Sequence, residues 1–105
     1  MNTVTMVRLY IREGDKFEGH NLMREVFRLL HDQHRVAGLT VFRGIAGFGS
    51  HGDSHADDLL RLNVHLPLVL EFYDRPEVVD ALLPRLREMV DPRHIVFWRA
   101  NSAAD

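Results

Sequence analysis

Gly44, Gly47, Gly49 and Gly52 fall within nine residues, directly after the strand-forming run Thr40-Val41-Phe42. Glycines this dense imply unusual backbone dihedrals, or a backbone that approaches another group closely. Free N–H groups on such a segment can cradle phosphate oxygens. Arg43 at its head can add a bidentate guanidinium, and Arg99 near the end of the last apolar run is a second candidate for an anion. Pairing with neighbouring carboxylates would account for both arginines equally well. Gly47-x-Gly49-x-x-Gly52 also matches the dinucleotide fingerprint literally. That fingerprint belongs between a first strand and a long helix, whereas these glycines follow a second strand and lead into a short polar loop. The context argues against a dinucleotide site. A flexible loop or a bulged strand extension would carry the same composition.

Other residues that could do chemistry are less well arranged. His51, His55 and His65 lie near Asp53, Asp57 and Asp58, but their spacing matches no strong zinc pattern and no cysteine supports them. A solvated loop explains them more simply, with residues 50–58 expected to be mobile without ligand. Ser54, His55 and Asp53 hold the groups of a nucleophilic triad, yet sequence neighbours on a polar loop cannot supply its geometry. Among the acids, nothing fixes a separation between Glu13, Asp15, Glu18, Glu71 and Asp74, and Glu71 suits a salt bridge better than catalysis. Phe48 and Trp98 read as packing groups. No catalytic residues and no metal ligands are assigned.

The elements that position these residues follow from periodicity. Thr5 to Ile11 alternates as a strand. Glu13-Gly14-Asp15 breaks it, and Lys16 to Gly19 reads as a connection. A helix is expected from about His20 to Val36, with Leu22, Val26, Leu29 and Leu30 as its stripe, widened by Met23 and Phe27. Gly38 is expected in the left-handed cap position. The second strand starts at Leu39, and Leu59 to Leu62 suits a short strand or helical turn. Pro67 opens a third strand through Tyr73. Asp74-Arg75-Pro76-Glu77 reads as a helix start, with Asp74 as cap and Glu77 reaching back. Val79, Leu82, Leu83, Leu86, Met89 and Val90 form the second stripe, with a kink expected at Pro84. His94 to Arg99 is the last strand, and Asn101 to Asp105 a loose tail.

The order strand, helix, strand, strand, helix, strand predicts an α+β, ferredoxin-like βαββαβ domain, with a four-stranded antiparallel sheet and two helices on one face. Such a sheet leaves its other face open. Met6, Tyr10, Val69, Tyr73, Val96 and Trp98 place apolar and aromatic groups there, which calls for a second cover, most simply another subunit.

Bulk properties narrow the field. The 105 residues make one domain, with a core over about 5–99 and a tail at 100–105. A net charge of -2 argues against a nucleic-acid groove or a polybasic membrane patch. The lack of cysteine excludes disulfides and thiol catalysis. The start of the chain has no basic segment before an apolar run, and no stretch is long enough to span a bilayer. A soluble, cytoplasmic protein is expected.

The segment Thr40 to Gly49 resembles the uncharacterised bacterial and archaeal PII-like family called domain of unknown function one-ninety. The similarity continues in Leu9-Tyr10-Ile11-x-Glu13, in Gly19, in Leu66-Pro67-Leu68-Val69-Leu70-Glu71, in Asp74 and in Leu83-Pro84, over roughly residues 5–99. The resemblance implies a PII-like homotrimer with sheets facing inward. It also implies a small effector in clefts between subunits, an adenine nucleotide such as AMP, ADP, ATP or a cyclic form, and no obligatory cofactor. A regulated partner protein, a membrane transporter being one candidate, would respond through the loop after the second strand. Gly47-Phe48-Gly49 looks like the Gly-Phe-Gly segment that lies beside the nucleotide in PII proper. The basic, glycine-rich second phosphate loop of PII proper is replaced here by Phe72-Tyr73-Asp74-Arg75-Pro76. The expected ligand-binding residues are Arg43, Gly44, Gly47, Phe48, Gly49 and Arg99. A metal-binding trimer resembling the divalent-cation tolerance proteins, and a small hydrolase, are the alternatives.

Overall fold

The structure, a computed structural model, describes residues 2–33, 36–48 and 66–104. Strand β1 spans Asn2–Arg12 and is followed by a small hairpin, β2 (Lys16–Phe17) and β3 (His20–Asn21). The hairpin replaces the expected connection and helix start. Glu18 and Gly19 both have positive φ, 50° and 82°, the geometry that closes a two-residue hairpin in register with strand twist. Helix α1 therefore begins later, at Leu22–Arg28, capped by the Asn21 carboxamide oxygen, which accepts the Arg24 N–H at 3.0 Å. A π-helical turn, Leu29–Gln33, continues it. Leu22, Val26, Leu29 and Leu30 are buried as the stripe requires, but Phe27 is half exposed and stacks on the His31 ring, with centroids 5.4 Å apart. Gly38 is not in the left-handed region; the Val36 N–H instead reaches back to the Leu30 carbonyl at 3.0 Å.

Strand β4 is Thr40–Arg43 and β5 is Pro67–Asp74, with proline at the strand start where it costs no ladder bond. Helix α2 spans Pro76–Met89 and continues through Pro84, which lies on its exposed side. Its cap differs from expectation. Arg75 is the N-cap and gives no side-chain cap, the Asp74 carboxylate accepts the Arg75 N–H one residue too early, and Glu77 meets only the Arg75 guanidinium at 3.8 Å. A 3₁₀ turn, Pro92–His94, leads into β6, Ile95–Ser102. This strand is longer than expected because β1 already begins at Asn2, so Asn101 and Ser102 pair with Thr3 and Asn2.

The four long strands form one antiparallel sheet in the order β4-β5-β1-β6, compatible with a ferredoxin-like arrangement. Val7, Leu9 and Ile11 alternate along β1, and Leu68, Leu70 and Phe72 along β5. All six pack in one buried cluster with Val26 of α1 and Val79, Leu82 and Leu86 of α2. The helices thus cover one face. On the other, Met6 sits between Tyr73 and Trp98, Arg8 between Glu71 and Val96, and Tyr10 opposite Val69. Tyr10, Tyr73, Val96 and Trp98 are each exposed by 39% or more. In their midst the Arg8 Nε–H donates to Glu71 Oε2 at 2.7 Å, and the guanidinium lies 5.5 Å from the Trp98 ring centroid. The Glu71 carboxylate holds the Arg8 pKa above its ordinary value.

These backbone angles make opposite predictions for two glycines. Gly19→Ala should lower unfolding stability by about 1–2 kcal/mol, because its φ of 82° disfavours a Cβ. Gly38→Ala should be neutral, or stabilising by up to about 1 kcal/mol, since nothing lies within 4 Å of the added Cβ. Urea denaturation of the two variants checks this.

Candidate functional site

The glycine segment leaves β4 and runs beside the start of β5. The Gly44 N–H donates to the Pro67 carbonyl at 2.8 Å. A Cβ on Gly44 would lie 2.6 Å from Pro67 Cγ, and one on Gly47 would lie 3.2 Å from it. Neither glycine is left-handed. Close approach to the proline ring, rather than backbone freedom, excludes a side chain at Gly44 and leaves little room for one at Gly47. The Gly44 N–H is therefore committed, contrary to the expectation that the whole segment offers free donors. Among the described residues, the N–H groups of Ile45, Ala46, Gly47 and Phe48 carry no hydrogen bond.

Arg43 turns back to the end of β1. Its Nε–H donates to the Glu13 carboxylate, which raises the guanidinium pKa, so one face of this cation is already neutralised. Arg99 stands elsewhere. It is opposite Thr5 on β1, whereas Arg43 is opposite Leu68, which in turn is opposite Ile11. Thr5 and Ile11 lie about 20 Å apart along the strand, and β4 and β6 are opposite edges of the sheet. Within one chain, Arg43 and Arg99 do not converge. Gly49, Gly52, Ser54, His51, His55 and His65, the polar loop at 50–58 and the expected short element at 59–62 lie outside the described residues. Among the described residues no cluster of three histidine or acidic groups is placed to hold a metal.

Phe48 does stand at a site, and its neighbours there come from distant parts of the chain. A cleft of about 550 Å³ opens beside it, walled by Tyr10 and Phe48 and floored by Ile11, Leu22, Leu68 and Met89. Arg12, Lys16 and Arg93 bring positive charge to its rim, Asp15 and Asp91 negative charge, and His94 completes the lining. Both acids are engaged. Asp15 Oδ2 accepts the Arg12 N–H at 2.9 Å, and Asp91 takes a bidentate pair from Arg93, with Arg93 Nη2 at 2.8 Å from Oδ2. The Arg93 side chain, then its N–H, hold the Asp91 carboxyl well below the usual carboxylate range. Arg12 Nη2 reaches the Gly47 carbonyl at 3.4 Å, tying the end of β1 to the glycine segment. Little in the order of residues signals this gathering. Arg12 and Lys16 flank a break, and only the folded register brings them near the turn at 91–94.

An antiparallel α+β domain, with a glycine segment at one end of its sheet and a charged, aromatic-walled cleft beside that segment, defines the class. The chain belongs to DUF190, a family described as Uncharacterized ACR, whose profile matches residues 4–102. It is 36% identical over 85 residues to a UPF0166 protein of Methanocaldococcus jannaschii, covering 81% of this chain and 77% of the relative. A UPF0166 protein of Aquifex aeolicus is 28% identical over 82 residues, covering 78% and 77%.

Two outcomes test the site's construction. Gly44→Ala should destabilise the fold by about 1–3 kcal/mol through the clash with Pro67. Most of that cost should vanish in a Pro67→Ala background, which removes Cγ, as a double-mutant cycle in urea would report. The Asp91 carboxyl should titrate below ordinary aspartates in a carbon-13 NMR pH series, and Arg93→Ala should raise it part of the way back, since the N–H of residue 93 remains. Its folded pKa is depressed, so its contribution to stability is present above the unfolded pKa and lost as pH falls towards the folded one.

Proposed function

We propose that the chain is a PII-like regulatory protein without turnover. It binds a small effector, an adenine nucleotide, beside Gly44, Gly47, Phe48 and Gly49, in clefts between the subunits of a homotrimer. Occupancy is passed to a regulated partner protein through the segment after β4. The observation that carries this reading is the exposed Phe48 ring beside uncommitted N–H groups at a cleft of about 550 Å³. That volume lies within the range of small-molecule sites. A π-face suits a base, and backbone donors suit phosphate oxygens. The word adenine comes from the family resemblance.

The open sheet face supports assembly. Met6, Tyr10, Val69, Tyr73, Val96 and Trp98 share it by register, and burying such a face against other copies removes apolar area from water. Arg99, at the far corner within one chain, can meet the glycine segment only across a subunit boundary. Subunit contacts that complete a site also make ligand binding and assembly mutually strengthening.

Calorimetry against AMP, ADP, ATP and cyclic AMP should show binding by at least one of them. Gly47→Val should weaken it about tenfold or more, since the added atoms meet Pro67, while His55→Ala should leave it unchanged. Light scattering should give a trimer at micromolar concentration, and Trp98→Asp should dissociate it. Failure of every nucleotide to bind below millimolar concentration, or a wild-type monomer, would contradict the proposal.

A further inference from the structure

The cleft beside Phe48 contains cations that neither the glycine segment nor the two expected arginines supply. Lys16 lies on the β2–β3 hairpin, which is held in place from both ends. Its turn is closed at Glu18 and Gly19, and the Phe17 ring receives the Arg85 guanidinium of α2 at 5.4 Å. The Leu22 N–H donates to the Asp15 carbonyl at 2.8 Å, fixing the start of the hairpin against α1. The backbone at Lys16 is thus fixed, and its side chain lines the cleft. Among the described residues the Lys16 ammonium has no hydrogen bond and no carboxylate partner. Arg12 is similar. Its backbone N–H occupies Asp15, but its guanidinium meets only the Gly47 carbonyl, at a long 3.4 Å.

The acids facing the same space offset these two groups only in part. Asp91 is paired with Arg93, which leaves Asp15, itself hydrogen-bonded to the Arg12 N–H, as one negative charge against the two cations. Arg12 and Lys16 thus form a pair of available cations beside an aromatic wall. We propose that Arg12 and Lys16 bind the phosphate or polyphosphate group of a small ligand in this cleft, with Arg12 exchanging the Gly47 carbonyl for the ligand's oxygens. A guanidinium prefers a charged oxygen to a neutral carbonyl at that distance, and gains bidentate geometry in the exchange. The exchange frees the Gly47 carbonyl from the end of β1. The identity of the ligand as a nucleotide rests on the function proposed above; the phosphate site does not.

The probe that separates the two is inorganic pyrophosphate, which has charge but no base. Calorimetry should show pyrophosphate binding to the wild-type protein. Arg12→Gln and Lys16→Gln should each weaken it about tenfold, the loss expected for one charge-assisted contact. Arg28→Gln, on the exposed side of α1 where it pairs with Glu25, should leave it unchanged. Circular dichroism should be unaltered in the three variants, none of which changes a buried side chain. On titration, the amide resonances of Gly47 and Phe48 should move in the wild type and stay still in Arg12→Gln. If pyrophosphate binds while no adenine nucleotide does, the phosphate site stands and the nucleotide reading falls. If a nucleotide binds equally well to the Arg12→Gln/Lys16→Gln double variant, the nucleotide reading stands and this phosphate site is wrong. Pyrophosphate that fails to bind the wild type, or binds the double variant equally, also overturns it.

Discussion

Strand β1 is hydrogen-bonded on both sides, to β5 from Thr5 to Arg12 and to β6 from Asn2 to Leu9. Nearly everything of interest hangs from this doubly held strand. Its inward residues Val7, Leu9 and Ile11 anchor the core. Its outward residues Met6, Arg8 and Tyr10 form the middle of the open face. Its end places Arg12 against the glycine segment and Glu13 against Arg43. A strand with a period of two serves both faces at once, and a slip of one residue would exchange core and open face. The paired ladders on both sides are what prevent it.

The site depends on a second constraint, the contact of the glycine segment with Pro67. Proline begins β5 with a fixed ring and a free carbonyl, which accepts the Gly44 N–H. The ring leaves no room for a Cβ on Gly44 and little for one on Gly47. The chain leaving β4 is held close to the sheet end, and Phe48 is carried out over the cleft rather than into the core. The ion pair of Arg8 with Glu71 is a polar island on the open apolar face. A cover over that face must leave the pair bonded, because a separated buried charge is costly.

Much of the fold was legible in the sequence, because periodicity reports burial directly. The alternation in β1 and β5 and the stripe of α2 were read residue by residue and are buried as read. The errors fell where local hydrogen bonding decides. The pair Glu18-Gly19 closes a hairpin that two-residue strands are too short to announce. Phe27 left the core stripe; it lies on the solvent side of α1 and stacks on His31. Asp74 looked like a helix cap, but Arg75 occupies that position. The candidate site was legible only in part. The glycines and Phe48 announce themselves by type and spacing. Arg12, Lys16 and Arg93 do not, because they meet through the register of β1 and the turn before β6, which no short spacing encodes. Arg43 and Arg99 both lie near strand ends, but within one chain strand order sets them on opposite edges.

The central claim is that a nucleotide occupies the cleft beside Phe48 in an assembled protein. A crystal structure grown with ATP tests it most directly. The account predicts a ring of subunits packed through the open sheet faces, with the base near Phe48 and the phosphates within hydrogen-bond distance of Arg12 and the N–H groups of residues 45–48. An assembly that leaves Tyr73 and Trp98 exposed to solvent, or nucleotide bound elsewhere while the cleft holds only water, would contradict it.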